Sequence, residues 1–235
     1  MPFHLSPEVS FLFGRQPFQG CNPSSARFVF VGEDANFAPD IELQPIWPRV
    51  AEYLNDGVEF WNRHGVHHPF LLPEYNGQGT VYHRHYHSIF TRDQGDPSGA
   101  EAPLPSGIRQ SIAFVEYLDR PTTGNDNIND VGMVNEVRRR WHFGWLAQLL
   151  VRQYGDPDRT VFLTKGVASK LRKDSDRLYP GLVPENPEAE AKRFPANARR
   201  HQVVIHRHAC DYLTGEQRRQ LNALIRQVLN QNSQG

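Results

Sequence analysis

Residues 27–37 read RFVFVGEDANF and contain the segment that decides the fold. The first part, 27–32, is apolar, β-branched and aromatic and ends in glycine, which predicts a buried strand that runs into a loop. The loop that follows, GEDANFAPD at 32–40, carries carboxylates, an amide and an aromatic ring. We therefore expect an interior strand with polar groups at its carboxyl end.

Three further apolar runs predict strands: IAFVEYL at 112–118, TVFLT at 160–164 and QVVIH at 202–206. Helical spacing of apolar side chains occurs at 46–61 and after Asp130, which can cap a helix. The basic segment 165–173 predicts another helix, and Thr214 and Gln217 form a capping box for the last one. Strands alternating with helices through crossovers predict an α/β fold. We expect a three-layer sandwich, with a central, mostly parallel sheet and helices on both faces.

The 235 residues are compatible with one large or two small domains at about 150 residues per domain, and we favour a single domain, 1–235. Two segments interrupt the alternation of predicted strands and helices. Residues 62–107 are rich in His, Pro and Gly without a clear period, which favours an ordered insertion or a lid of loops. Residues 174–200 are polar and proline-rich, and we interpret them as a surface excursion.

The composition is typical of a soluble protein, with 38% hydrophobic and 22% charged residues. No apolar stretch approaches the roughly 20 residues that cross a bilayer, and residues 1–10 lack the basic start and apolar run of a signal peptide. We therefore expect a cytoplasmic protein with no membrane partner. Cys21 and Cys210 are too few and too far apart for a disulfide framework or a cysteine-based zinc site, so both should be free thiols.

Charge is balanced over the whole chain but unevenly distributed. Residues 1–120 contain 8 basic and 14 acidic side chains, whereas residues 121–235 contain 18 basic and 12 acidic ones. The second half can therefore present a basic face to an anionic partner.

Ligands bind parallel α/β sheets at the carboxyl ends of the strands, which singles out the loops after Gly32, Leu118, Thr164 and Ile205. The first loop places Glu33, Asp34 and Asn36 beside Phe37. An aspartate there could orient a water and the ring could stack on a planar ligand, or Asp34 or Asn36 could simply cap the turn. The fourth loop, HRHACDY at 206–212, supplies imidazole and guanidinium groups. These groups can belong to the same site only if this loop faces the first one.

Glu116 is unusual because a carboxylate inside IAFVEYL must be hydrogen-bonded, paired or placed at the exposed end of the strand. Either it forms an ion pair with a residue such as Arg120, or it points into the pocket at the strand ends. Both alternatives are compatible with the sequence.

The alternating histidines His83, His85 and His87 would point to one side of an extended chain, and imidazole is a good ligand for zinc or nickel. They can equally stack and hydrogen-bond in a polar loop. Since no carboxylate partner is evident, we expect no metal site and no cofactor.

The ordered set of segments resembles the uracil-DNA glycosylase superfamily, whose members cut the bond between base and sugar. RFVFVGEDANF resembles the first motif of that family. SIAFVEYLDRPTTGND at 111–126 resembles the strand that reads the base edge, followed by the Arg-Pro-Thr-Pro-Gly segment of the mismatch-specific branch. RTVFLTKGVASKL at 159–171 and VVIHRHACDYLTGEQRRQLNALI at 203–225 resemble the later strand and helix and the closing histidine segment. The match covers about two thirds of the chain, and Glu116 replaces the base-reading Asn of the family.

The resemblance implies hydrolysis of an N-glycosidic bond in DNA, single- or double-stranded, that carries an altered base. Asp34 would position the water, and His208 or His206 would hydrogen-bond the departing base. Phe37, with Asn36 and Glu116, would bind the flipped base, and Arg207 or Tyr212 would occupy the space it vacates. Two basic side chains, Lys165 and Lys170, are candidates for phosphate contacts, and we expect a monomer.

An ionised Glu116 can only accept hydrogen bonds, whereas the Asn of the family donates one and accepts one. Facing uracil, the carboxylate would meet a carbonyl oxygen, so we expect a damaged or modified base other than uracil. Two competing hypotheses are a non-catalytic nucleic-acid or nucleotide-binding protein of the same fold and a metal-dependent hydrolase built on His83, His85 and His87.

Overall fold

The chain forms a mixed α/β fold around a five-stranded sheet. The computed structural model describes residues 3–33, 35–77, 79–91, 104, 107–123, 145, 160–175, 203–206 and 215–231. The predicted α/β class is confirmed.

The sheet has the order β1-β3-β2-β4-β5. Its strands are β1 (Phe18–Gly20), β2 (Phe28–Gly32), β3 (Ile112–Glu116), β4 (Thr160–Thr164) and β5 (Val203–His206). The last four are parallel, and β1 pairs with β3 in the antiparallel direction at one edge. All four strands that the sequence predicts are present. The sequence does not predict β1, because three residues are too few to show an alternating pattern.

Apolar side chains cover both faces of the sheet, which explains why all five residues of β2 are buried. On one face Val29 and Val31 pack against Val167 and Leu171 of a helix. On the other face Phe30 lies in a cluster with aromatic and aliphatic side chains of three helices. Strands buried on both faces read as continuous apolar runs, as residues 28–31 do.

The helices are α1 (Pro7–Arg15), α2 (Trp47–Asn55), α3 (Gly57–His64), α4 (Thr80–Thr91), α5 (Lys165–Ser175) and α6 (Gly215–Gln231). The single helix predicted at 46–61 is in fact two, because Asp56 adopts an extended conformation and its side chain accepts a hydrogen bond from Glu59 N–H at 2.9 Å. This cap starts a new helix. Thr164 ends β4 and also caps α5, since its hydroxyl accepts from Val167 N–H.

The segment 62–107 differs from the loops that the sequence predicts, because α4 lies within it. Tyr86, Ile89 and Phe90 of α4 are buried against the sheet, so this part of the segment belongs to the core. The many histidines obscure the helical spacing of these apolar residues. The helix expected after Asp130, the excursion at 174–200 and Thr214 lie outside the described residues, although Trp145 is helical and packs against the sheet.

Within the described part of the chain, none of the helices combines the length and the apolar character that crossing a membrane requires.

Replacing Phe162 by Ala should lower the free energy of unfolding by about 3–5 kcal/mol, since the ring is fully buried and stacks on Phe30 at 4.7 Å. Phe11 is the matched control: it is 62% exposed, and Phe11→Ala should change stability by no more than about 0.5 kcal/mol. Urea unfolding followed by circular dichroism measures both. Equal losses in the two variants would contradict the packing described.

Candidate functional site

A cavity of about 570 Å³ opens at the carboxyl ends of β2 and β3, on the face of the sheet that α4 covers. After β2 the chain forms β3 on one side, and it later returns to form β4 on the other side. Ligands bind open α/β sheets where the strand order reverses in this way. The cavity therefore lies beside the loop that the sequence singles out, at the position expected for a ligand.

The floor of the cavity is formed by alternate residues of two neighbouring strands. Phe30 pairs with Phe114, and Gly32 pairs with Glu116 one step further along. Because side chains on one face recur every second residue, Glu116 projects to the same side as Phe114. A β-carbon at residue 32 would collide with the Glu116 carboxylate, so glycine at this position makes room for it.

Glu116 therefore takes the second of its two predicted alternatives and lines the cavity. Arg120, the partner considered for it, places its guanidinium over the ring of Phe3 at 5.6 Å.

Gln19 is a cavity residue that sequence reasoning missed. It lies on β1 opposite Phe114, so its side chain shares the face that carries Glu116. The residue is only 3% exposed, and within the described residues its Nε2 has no hydrogen-bond partner. A buried amide donor without a partner is costly, which marks it as a group that a ligand can satisfy. The only sequence signal was a polar residue between Phe18 and Gly20.

The loop after β2 is held in place by the segment that follows β3. Tyr117 and Leu118 donate their backbone N–H groups to the carbonyls of Gly32 and Glu33, both at 3.0 Å. Thr122 donates to Ala35 at 2.8 Å and accepts from Phe37 at 3.0 Å. These bonds fix the direction in which the loop side chains project.

Of the predicted loop residues, Glu33, Asn36 and Phe37 all line the cavity. Phe37 is 3% exposed and contacts Phe70 edge to face, with ring centroids 6.2 Å apart. Asn36 is exposed. Asp34 lies outside the described residues, but both of its neighbours in the chain, Glu33 and Ala35, line the cavity.

Three histidines also line the cavity: His67, His68 and His83. His68 and His83 stack face to face with ring centroids 3.4 Å apart. His67 and His68 precede the short 3-10 turn Pro69–Leu71, and His83 comes from α4. The sequence does not indicate that His83 lines this cavity. The first turns of α4 face the cavity, which the sequence could not reveal while this segment was interpreted as loops.

Burial keeps these histidines neutral. It lowers the pKa of His83 to about 3, and burial followed by the proximity of other histidines holds the pKa values of His67 and His68 well below the usual range. Burial, followed by the negative charge of Glu116, raises the pKa of Tyr53 well above its usual value. At neutral pH the cavity thus combines neutral rings and a protonated phenol with carboxylates.

The remaining predicted site residues are placed only in part. Lys170 forms an ion pair with Glu33 at the rim of the cavity. Lys165 begins α5 directly after β4, and His206 ends β5. Three predicted residues lie outside the described part of the chain: Arg207, His208 and Tyr212. Whether the loop of 206–212 faces the cavity stays a prediction.

The alternating histidines do not converge as an extended chain would make them. On α4, His83 faces the cavity and His87 lies one turn further along, with its Nδ1 3.4 Å from Nδ1 of His67. His85 points elsewhere and accepts from the guanidinium of Arg218 at 3.0 Å. Residues spaced by two do not share a helix face, so the extended interpretation was wrong. Among the described residues, no three His, Cys, Asp or Glu side chains are arranged to hold a metal ion.

Stability should fall as the pH is lowered from 7 towards 5. An unfolded histidine binds a proton near pH 6.5, whereas His83 in the folded protein does so only near pH 3, so acid favours the unfolded state between these values. Each such histidine should contribute about 1 kcal/mol per pH unit below pH 6. In His83→Gln this slope should be smaller by that amount, as measured by urea unfolding at pH 7.0, 6.0 and 5.5. An unchanged slope would refute the neutral, buried state.

Comparisons of the chain with protein-family models, with curated proteins and with solved structures found no match. The function of this site is therefore inferred from its own residues and geometry.

Proposed function

We propose that this protein is a hydrolase that cleaves the N-glycosidic bond of a damaged or modified base in DNA, with a fold similar to that of the uracil-DNA glycosylases. One observation carries the proposal. The cavity at the carboxyl ends of β2 and β3 is lined by aromatic rings and a carboxylate, directly beside the loop of Glu33 to Phe37. It has a volume suited to a small ligand.

The charge of the cavity favours a neutral ring over a phosphate. Its described lining includes Glu33 and Glu116 but no Lys or Arg, and its histidines are neutral. An anion would be repelled there, whereas a heterocycle with N–H groups could donate to Glu116 and contact Phe30, Phe37 and Phe114. These properties are those of a site for an extruded base whose phosphates stay outside.

The proposed chemistry is hydrolytic. Asp34 holds a water against the sugar carbon and stabilises the positive charge that develops on the sugar. The water oxygen bonds to that carbon, the N-glycosidic bond breaks, and the bonding electrons leave with the base. His208 or His206 hydrogen-bonds the base as negative charge develops on it, and the proton lost by the water neutralises the product. Water is the only co-reactant.

The contacts with DNA are proposed to lie around this opening. Lys165, Arg207 and Tyr212 belong to segments that follow β4 and β5, whose carboxyl ends lie at the same edge of the sheet as the cavity. Side chains there could hold phosphates or fill the space left by the base. The basic excess of residues 121–235 fits this role, and Lys170 would contribute by exchanging Glu33 for a phosphate.

Replacing Asp34 by Asn should lower base release by about 10²-fold or more, since the amide cannot stabilise the developing positive charge as a carboxylate does. The assay incubates single- and double-stranded oligonucleotides that contain altered bases and then cleaves abasic sites with alkali. Asp40→Asn is the matched control, because Asp40 is exposed at the end of the same loop and an Asn could still accept from Gln44.

Full activity in the Asp34→Asn variant would overturn the role of Asp34. Binding of the oligonucleotides by the wild type without any base release would instead favour the competing function, a non-catalytic nucleic-acid-binding protein.

Replacing Glu116 by Asn should shift activity towards uracil. The amide restores one donor beside one acceptor, whereas the carboxylate opposes a uracil carbonyl at a cost of about 1–3 kcal/mol. Uracil release by this variant should therefore exceed that of the wild type by about tenfold or more, measured on the same oligonucleotides. Efficient uracil release by the wild type would contradict the expectation.

A further inference from the structure

The cavity is larger than a nucleobase. Its volume of about 570 Å³ lies within the range of about 300–1,000 Å³ that is usual for sites of drug-sized ligands. A base has about ten non-hydrogen atoms and occupies roughly 150–200 Å³ at the packing density of a protein interior. An extruded base of ordinary size would therefore leave more than half of the cavity to water.

Aromatic rings dominate the described lining of the cavity. Eight Phe or Tyr side chains are among its 23 residues, which is about a third of the lining, against 11% of aromatic residues in the whole chain. Three neutral histidines add further rings. Space between such surfaces favours an uncharged aromatic group over water, since the group gains both apolar burial and contacts between rings.

The rings form two walls that come from different parts of the chain. The first wall belongs to the sheet and to the loop after β2, and it consists of Phe30, Phe37 and Phe114. The second wall belongs to the 3-10 turn, to the connection that follows it and to α4, and it consists of Phe70, Tyr75 and Tyr82. The two walls meet where Phe37 contacts Phe70 edge to face.

The connection between the 3-10 turn and α4 lies close against the rings of the second wall. Tyr75 stacks on Phe70 with ring centroids 4.3 Å apart and an interplanar angle of 11°. A β-carbon at Gly77 would collide with the Tyr75 ring, and one at Gly79, whose φ is +89°, would lie 3.2 Å from the Phe70 ring. Both glycines line the cavity. Glycine therefore lets the backbone approach these rings and adds no side chain that would fill the space.

We infer that the second wall binds a bulky, uncharged aromatic adduct on the base that occupies the first wall. The base lies against the first wall because the loop that carries Asp34 follows β2 there. The sugar stays at the opening, since its phosphates are anionic and the described lining contains no Lys or Arg to hold them. The remaining volume then takes a substituent on the base. The inference rests on the proposed function, and it names its substrate class as bases enlarged by an aromatic adduct.

Equilibrium binding of free nucleosides tests this inference without requiring catalysis. The probes are 2′-deoxyadenosine and N6-benzyl-2′-deoxyadenosine, which differ in one benzyl group. The wild type should bind the benzyl nucleoside about thirtyfold more tightly, since burying this group is equivalent to burying a Phe side chain. A third probe, N6-(4-carboxybenzyl)-2′-deoxyadenosine, has a similar shape. Its carboxylate should remove most of the gain, because the charge would lose its hydration among aromatic rings.

Replacing Tyr75 by Ala tests the second wall separately from the first. The variant loses one ring of the second wall, so it should bind the benzyl nucleoside about tenfold more weakly. Its affinity for 2′-deoxyadenosine should be unchanged, which also shows that the first wall is intact. Phe11→Ala is the matched control and should change neither affinity, since Phe11 is 62% exposed on α1 and lies outside the described lining. The comparison of the probes on the wild type does not depend on either variant.

Three results would overturn the inference: equal wild-type affinity for the two uncharged nucleosides, no binding of the benzyl nucleoside at millimolar concentration, or equally tight binding of its carboxylate analogue. Failure of the inference is separate from failure of the proposed function. Release of altered bases of ordinary size from oligonucleotides, but not of N6-benzyladenine, would leave the glycosylase standing without bulky substrates. Preferential binding of the benzyl nucleoside without any base release would leave the adduct site standing without the enzyme.

Discussion

The ring of Phe30 joins the interior of the protein to its cavity. It stacks between the rings of Phe114 and Phe162, with centroid distances of 5.6 Å and 4.7 Å, and it meets Tyr86 and Phe90 of α4 edge to face. Aromatic pairs of these geometries add about 0.5–1.5 kcal/mol each beyond the apolar area they bury. Because the same ring lies on the cavity floor, the packing that stabilises the sheet also fixes the surface on which a ligand rests.

Around this ring the protein places polar groups where water has limited access. The neutral histidines and the protonated Tyr53 show how strongly the surroundings disfavour added charge. Glu116 is tolerated because Gly32 leaves space beside it at the open end of the sheet. A site built in this way selects its occupant by the pattern of donors and acceptors, since mismatched polar groups cannot easily recruit water instead.

The strands and the location of the cavity follow from the sequence because apolar runs and strand ends are local signals. The run at 160–164 forms β4 with the predicted bounds. Glu116 lines the cavity, which is one of the two placements that the sequence left open. The contributions of Gln19 and His83 could not be predicted, because each depends on pairing with distant parts of the chain. Gln19 requires the pairing of β1 with β3, and His83 requires that α4 be recognised as a helix that packs on the sheet.

The edge position of β1 separates the tasks of the sheet. Folding depends on the central strands β2 and β4, which are buried except at Thr160, whereas β1 contributes three residues at one edge of the sheet and pairs with β3. A substitution at residue 19 therefore changes the hydrogen-bond donors at the cavity floor without disturbing the packing of the central strands. During evolution, the ligand specificity of the cavity can therefore change through substitutions in this edge strand, without loss of the fold.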